Sequence, residues 1–330
     1  MDTFAELGRV EAVRKLFEGT GYKPFEEPLG AEMKAGDKSV STLKTLLEGV
    51  DFDLVYFPLK HLGYKAVALA SGELLAAMAH PRTLSVTLGI SAKLDYEQIK
   101  ELWGGVVKAS KEFGFVSLSL ELQPSRNGLA ISVAATGAAS KLTRVRTPKP
   151  QSRDLLCVSG SLGAAYFGLQ VLERGKKQFA EGRSNEEEMK TYRMLVGSYL
   201  KPELPAGVVA QLEDAQIIPS AGLFVGKGLS DAVLRLTRAT GLGAKIYAEK
   251  IPFEGGSFEL GRKLDIDPVS AAMNGGEDCR LLFAVPILKL EDFRRDFQTF
   301  DIVGHLAQSE VGAVLVSPDG LEHPMTAQGW

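Results

Sequence analysis

Apolar positions recur along this chain in two periods, every third or fourth residue and every second, and together they lay out a mixed α/β protein. Phe4, Leu7, Val10, Val13 and Leu16 stand at helical spacing behind an Asp/Thr cap, which predicts a helix over residues 3–17. Residues 19–41 carry Gly, Pro and charge without a period and predict a loop holding one weak strand. Pro58 opens an apolar stretch that predicts a long helix over residues 59–79, stopped by Pro81. The segment TLSVTLGI, residues 83–90, alternates and predicts a strand. Residues 96–113 predict an amphipathic helix ended by Gly114. Strands over 116–122 and 129–135 flank a QPSRNG turn and are expected to pair as a hairpin.

RVRTPKPQSR, residues 144–153, is basic, holds two prolines and breaks every period, so the domain boundary is placed there. This divides the chain into residues 1–148 and 149–330. Beyond the break come a strand (LLCVS), a glycine turn (GSLG) and a helix over 164–174. A polar loop is expected over 176–188, leading into a helix that ends near Leu200. Helices over 206–215 and 229–240 and strands over 221–225, 244–248, 280–285, 301–307 and 313–317 complete a mixed α/β domain.

Composition narrows the classes. A net charge of −3 gives no basic face for nucleic acid. Two cysteines, Cys157 and Cys279, cannot build a disulfide framework and suit a reducing compartment. No apolar run reaches the roughly 18 residues a membrane span needs, and the N-terminus is amphipathic rather than signal-like. A cytoplasmic protein is expected.

The candidate motifs have bland readings beside their sharp ones. Gly222 to Gly228 (GLFVGKG) has the look of a phosphate loop, but its first glycine is one residue too close and no Ser or Thr follows Lys227. A strand-to-helix turn is the better reading. Gly160-Ser161-Leu162-Gly163 reads as a tight turn, and Asn274 to Asp278 (NGGED) as a solvated acidic turn. The four histidines, His61, His80, His305 and His323, have no metal-ligand spacing. Cys157 and Cys279 lie in or beside apolar strands, where buried inert thiols are expected.

Five collinear blocks carry a resemblance: residues 46–81 (LLEGVDFDLVYFPLKHLGYKAVALASGELLAAMAHP), CVSGSLGAAYFGLQVLER, YLKPE, MNGGEDCRLLF and the closing AQGW. In these blocks the chain resembles the thiamine-monophosphate kinase family, of the aminoimidazole ribonucleotide synthetase-like superfamily. The resemblance implies a two-domain α/β (α+β) fold. Its N-terminal domain would form a dimeric β-barrel and carry the ATP site; its C-terminal domain would be mixed α/β. It also implies ATP, Mg²⁺ and thiamine monophosphate, with aspartates holding the metal between the two ligands. Transfer of this kind is mostly positioning and charge neutralisation.

Carried over by position, those aspartates are mostly gone. The early Gly-Asp-Asp loop falls near Glu26-Glu27-Pro28, one metal aspartate becomes Lys44, and another becomes Glu73. The nucleotide Gly-Gly-Asp falls on Ser119-Leu120-Glu121, and Asp-x-Ser-Asp-Gly-Leu reads Phe224 to Leu229, with Lys227 in place of a carboxylate. The substrate histidine becomes Asp51, while Glu277 and Trp330 keep substrate-side positions; Cys279-Arg280 replaces the usual pair after Glu-Asp. Glu73 and Glu121 are therefore vestigial Mg/ATP positions, and Asp51, Glu277 and Trp330 substrate-side ones. Lys44 and Lys227 are expected to pair with Glu73, Glu121 or Asp51 in place of a metal.

Three readings stay open. One is a pseudoenzyme acting as a homodimeric scaffold or binding protein with a protein partner. The second is an active kinase with a metal site rebuilt on Glu73, Glu121, Glu277 and Asp278. The third is a sensor for a thiamine-phosphate ligand.

Overall fold

A computed structural model describes residues 9–22, 38–145 and 147–326 of this chain. It divides into two compact units, one of residues 1–75 and 79–139, the other of residues 76–78 and 140–330. Among the described residues, no helix is long and apolar enough to cross a membrane.

The first unit follows α1 (Arg9–Phe17) with a four-stranded sheet of order β1-β4-β2-β3, built from β1 (Ser39–Leu47), β2 (Ala79–Ser91), β3 (Ser117–Ser125) and β4 (Ala130–Ala139). β4 runs antiparallel to both β1 and β2, while β2 and β3 are parallel. The expected hairpin is therefore corrected: β3 and β4 are not neighbours, because β2 lies between them. β3 is an edge strand, and Pro124 within it lacks the N–H that a second ladder would need.

Two helices join these strands, α2 (Leu59–Ala76) and α3 (Tyr96–Phe113). The Pro58 carbonyl accepts the first bond of α2, from the Leu62 N–H. The helix stops before Met78, which adopts a φ of 54°, so Pro81 is not its terminator. Pro81 instead sits inside β2 at a register shift, one of the few places a central strand tolerates proline. α3 begins at a full capping box, Asp95 with Gln98, and ends on left-handed Gly114. The helices touch through glycine: a Cβ on Gly63 would overlap the Leu102 carbonyl, and one on Gly105 the Lys60 carbonyl.

One sheet face is buried, through Leu84, Val86 and Leu88 of β2 and Ile131, Val133 and Ala135 of β4. Its other face carries Ser, Thr and Ala on β1, β2 and β4 and Glu121 on β3, with Leu43 66% and Leu47 44% exposed.

The second unit holds a seven-stranded sheet of order β11-β10-β7-β9-β5-β8-β6. Its strands are β5 (Leu155–Val158), β6 (Ala221–Val225), β7 (Gly243–Tyr247), β8 (Arg280–Val285), β9 (Asp301–Ala307), β10 (Ala313–Val316) and β11 (Glu322–Pro324). Only β7 and β10 are parallel neighbours. A core of Leu156, Val158, Leu282, Ala284, Val303 and Leu306 packs against Leu229, Val233 and Leu236 of a helix described below. The helix after β5, α5 (Ala164–Ala180), follows the short α4 (Lys141–Val145) and runs six residues beyond the expected end at 174. The polar stretch 176–188 is thus largely helical, since α6 (Glu186–Thr191) follows it and leads to α7 (Arg193–Leu200). The reason is anchoring: buried Phe167, Val171 and Leu172 fix the front of α5, and its polar rear projects as helix. The remaining helices are α8 (Val208–Asp214), α9 (Leu229–Thr240), α10 (Ser257–Leu264), α11 (Pro268–Asn274) and α12 (Leu290–Asp296).

Gly105→Ala is expected to cost about 1–3 kcal/mol by forcing α2 and α3 apart. The adjacent Gly104 faces open space, so Gly104→Ala is expected to stabilise by roughly 0.5–1 kcal/mol. Urea midpoints of the two variants against the native chain check the contrast.

Candidate functional site

In β1 the residues Val40, Thr42, Lys44 and Leu46 share one face, because side chains alternate along a strand. That is the buried face, where Leu46 pairs with Ile131 and Lys44 with Val133. The Lys44 Nζ donates to Glu73 Oε1 of α2 at 2.6 Å. Their side chains are 29% and 26% exposed, so the pair is part-buried and still reached by solvent. The expected lysine–carboxylate pairing is present at this position.

Glu121 lies elsewhere. The register sets Thr45, Ser132, Thr87 and Glu121 in one row, on the face opposite Lys44. The sheet itself separates Glu121 from the Lys44–Glu73 pair. Asp51 closes the turn after β1, accepting the Leu47 N–H at 2.7 Å through Oδ2. Glu48 accepts the Leu129 N–H at 2.7 Å.

Mg²⁺ demands a near-octahedral set of oxygen donors. Here Glu73 already meets an ammonium group, and Lys44 has no lone pair to offer when charged. Among the described residues, no three His, Cys, Asp or Glu side chains gather as a metal site. The residues present do not fit a divalent metal at Lys44 and Glu73.

In the second unit three glycine turns interlock. The Gly160–Gly163 turn joins β5 to α5, Gly226–Gly228 joins β6 to α9, and Asn274–Asp278 leads into β8. Asp278, read from sequence as part of a solvated turn, is instead only 2% exposed. Its Oδ2 accepts the Gly163 N–H at 2.7 Å and its Oδ1 the Ala165 N–H at 3.0 Å. Asp278 thus caps α5 from a distant segment, satisfying donors that a helix start leaves open. Burial pushes its carboxyl up to about 6, against the lowering pull of those two backbone donors. With both oxygens so engaged, Asp278 is a helix cap rather than a metal ligand.

The turn that delivers it is conformationally demanding. Gly276, Glu277 and Cys279 all have positive φ, at 74°, 67° and 53°. The two non-glycine residues there store strain of about 1–3 kcal/mol each. The Glu277 N–H donates to the Gly226 carbonyl at 2.8 Å, which binds this turn to the one bearing exposed Lys227. Gly228, at φ 93°, admits no side chain, since a Cβ would overlap the Met273 carbonyl.

Arg280 completes the arrangement. Its Nε donates to the Ser161 carbonyl at 3.0 Å and an Nη to the Glu203 carbonyl at 2.6 Å. The guanidinium therefore ties the Gly160–Gly163 turn to the Lys201–Leu204 loop. No spacing signal marks Asp278 as a cap or Arg280 as a tie, because their partners lie 77 to 119 residues away. Beside the turn a cavity of about 170 Å³ is lined by Ser230, Asp267, Met273, Asn274 and His323. The Asn274 Oδ1 is buried and has no hydrogen-bond partner among the described residues. Both cysteines are buried and outside any disulfide, and burial pushes the Cys157 thiol up to about 12, which leaves it inert. Trp330 and Glu26-Glu27-Pro28 lie outside the described residues.

Residues 30–139 match the family model for AIR synthase related protein, N-terminal domain. By sequence, the chain is 23% identical over 322 residues to the thiamine-monophosphate kinase of Aquifex aeolicus, covering 96% of this chain and 97% of the relative. The crystal structure of thiamine monophosphate kinase from Aquifex aeolicus superposes with a TM-score of 0.71 at 21% identity, over 99% of this chain and 100% of that one. AaThiL complexed with AMPPCP and TMP gives 0.74 at 22% identity, over 100% and 98%. A chain of the HypE–HypF complex gives 0.60 at 16%, over 90% and 92%. These likenesses establish the aminoimidazole ribonucleotide synthetase-like α/β fold.

Asp278 also sets a pH dependence. Between pH 3.8 and about 6 the folded chain holds a proton that the unfolded chain has lost. Stability from this group is therefore present below that window and falls as pH rises through it. Relative to Asp278→Asn, which does not titrate, the native chain is expected to lose up to about 3 kcal/mol between pH 4 and pH 7. Paired urea titrations at the two pH values measure the difference.

Proposed function

We propose that this chain, a divergent member of the thiamine-monophosphate kinase family among the AIR synthase-related proteins, is a non-catalytic homodimeric binding or scaffold protein. The observation that carries this reading is the Lys44–Glu73 ion pair. By resemblance both positions belong to metal-binding aspartates, and here an ammonium group does the neutralising that a metal ion would do. Phosphoryl transfer depends on metal to hold and neutralise the phosphates. A lysine there keeps the pocket electrically balanced while removing that capacity.

Glu121, across the sheet from the pair, and Asp278, engaged as a helix cap, both argue against a rebuilt magnesium site. Dimerisation through residues 1–148 is supported by the outward sheet face, where Ser, Thr and Ala leave a smooth surface bordered by exposed Leu43 and Leu47. A second copy of that sheet would cover it. Two buried cysteines, neither in a disulfide, accord with a cytoplasmic setting. A protein partner is in keeping with the HypE–HypF complex, whose HypE chain shares this fold. A thiamine-phosphate ligand is the candidate for the substrate side, at Asp51, Glu277 and Trp330.

In a coupled ADP-release assay with ATP, Mg²⁺ and thiamine monophosphate, the native chain is expected to show no turnover. Rates in the range of about 1–100 s⁻¹ usual for kinases would overturn the reading. Lys44→Asp sets a second carboxylate beside Glu73, and this variant is expected to gain a Mg²⁺-dependent rise in melting temperature that the native chain lacks. Removing only one partner, by Lys44→Ala, is expected to cost no more than about 1 kcal/mol, because the pair is reached by solvent.

A further inference from the structure

Residues 126–129 carry the chain from β3 to β4, past the strand that separates them. The backbone there is anchored on both sides of a single amide. The Asn127 N–H donates to Ser125 Oγ at 3.3 Å, and the Leu129 N–H to Glu48 Oε2 at 2.7 Å. Glu48 in turn donates its own N–H to the Leu129 carbonyl at 3.0 Å. Between these anchors the Gly128 N–H meets no hydrogen-bond acceptor among the described residues. Gly128 is held at φ 93°, and a Cβ there would strike Glu48 Oε2. The position therefore excludes a side chain that could screen its own amide nitrogen. Asn127, just before it, is exposed.

The chain holds three asparagines, and the other two are placed differently. Asn274 also precedes a glycine, but the Gly275 N–H donates to the Ala271 carbonyl at 2.7 Å at the end of α11. Tyr166 packs so closely on Gly275 that a Cβ would overlap it, and the Asn274 Oδ1 is buried. Asn185 is followed by Glu186, and its Nδ2 donates to the Val171 carbonyl at 3.2 Å. Two identical dipeptides thus sit in opposite settings, one with its glycine nitrogen open and one with it engaged.

We propose that Asn127 is a site of spontaneous deamidation in the folded chain, and that Asn274 is protected from the same reaction by its fold. The Gly128 amide nitrogen gives up its proton and attacks Asn127 Cγ. The bond from Cγ to the side-chain nitrogen breaks, ammonia leaves with that proton, and a five-membered succinimide remains. Water then opens the ring at either carbonyl, giving aspartate or isoaspartate. At Asn274 the same attack first requires the Gly275–Ala271 bond to open, which adds to the barrier. Either product places a new carboxylate one residue from the glycine that Glu48 packs against, and isoaspartate also adds a methylene to the main chain. Both changes fall where β1 and β4 are tied together through Glu48 and Leu129. The site is independent of the Lys44–Glu73 pair and of whether the chain phosphorylates anything.

Incubation of the full chain in mildly alkaline buffer, followed by peptide mapping with mass spectrometry, tests the assignment. Asn127 is expected to convert at least about tenfold faster than Asn274. Repeated in concentrated guanidinium chloride, where the Gly275 N–H is released, the two rates are expected to converge. On isoelectric focusing, Asn127→Ser is expected to remove most of the acidic species that the native chain accumulates with time. An intact Asn127, equal rates in the folded chain, a gap that survives denaturation, or acidic species undiminished in Asn127→Ser would each overturn the proposal.

Discussion

A carboxylate buried at the start of a helix organises the second unit. Asp278 reaches α5 through bonds to Gly163 and Ala165, and those bonds hold the turn after β5 against the turn before β8. The third turn joins through the Glu277 N–H and the Gly226 carbonyl. Positive φ at Gly276, Glu277 and Cys279 is the conformational cost of presenting that carboxylate inward. Arg280, next along the chain, then reaches Ser161 and Glu203. One short segment, at the amino end of β8, thus fixes the turns at the carboxyl ends of the antiparallel neighbours β5 and β6.

The first unit solves a different problem. A lysine on the covered face of a sheet needs a counter-charge, and Glu73 supplies it from the overlying helix. The pair keeps about a quarter of its side-chain surface in water. Its worth in stability is therefore modest, and what it secures is a balanced charge beneath the sheet.

Much of this architecture was legible in the sequence. Asp95, Gln98 and Gly114 mark both ends of α3, and the apolar runs over β6, β8 and β9 coincide with those strands. Other parts were hidden for identifiable reasons. β1 escaped notice because Lys44 interrupts the covered side of its alternation. A period of two announces a strand but not its neighbour, so β3 and β4 read as a hairpin although β2 separates them. The rear of α5 reads as loop because Gly175 to Gln178 carry no apolar period and Phe179 stands alone, exposed, while the helix is anchored by Phe167 and Val171 a turn or more earlier. The pairing of Lys44 with Glu73 was foreseeable from charge replacement alone. The cap made by Asp278 was not, since it joins segments 113 and 115 residues apart.

The glycine contact between α2 and α3 has an evolutionary side. Gly63 and Gly105 press backbone on backbone, so the two helices behave as one rib whose position does not depend on the residues at 44 and 73. Glu73 lies ten residues beyond Gly63 on the same helix, roughly 15 Å along it. A change of side chain at the pair therefore needs no movement of the main chain. Chemistry at that spot can be exchanged, carboxylate for ammonium and back, while the skeleton that presents it stays still. A fold braced in this way can vary the charges it presents without being rebuilt.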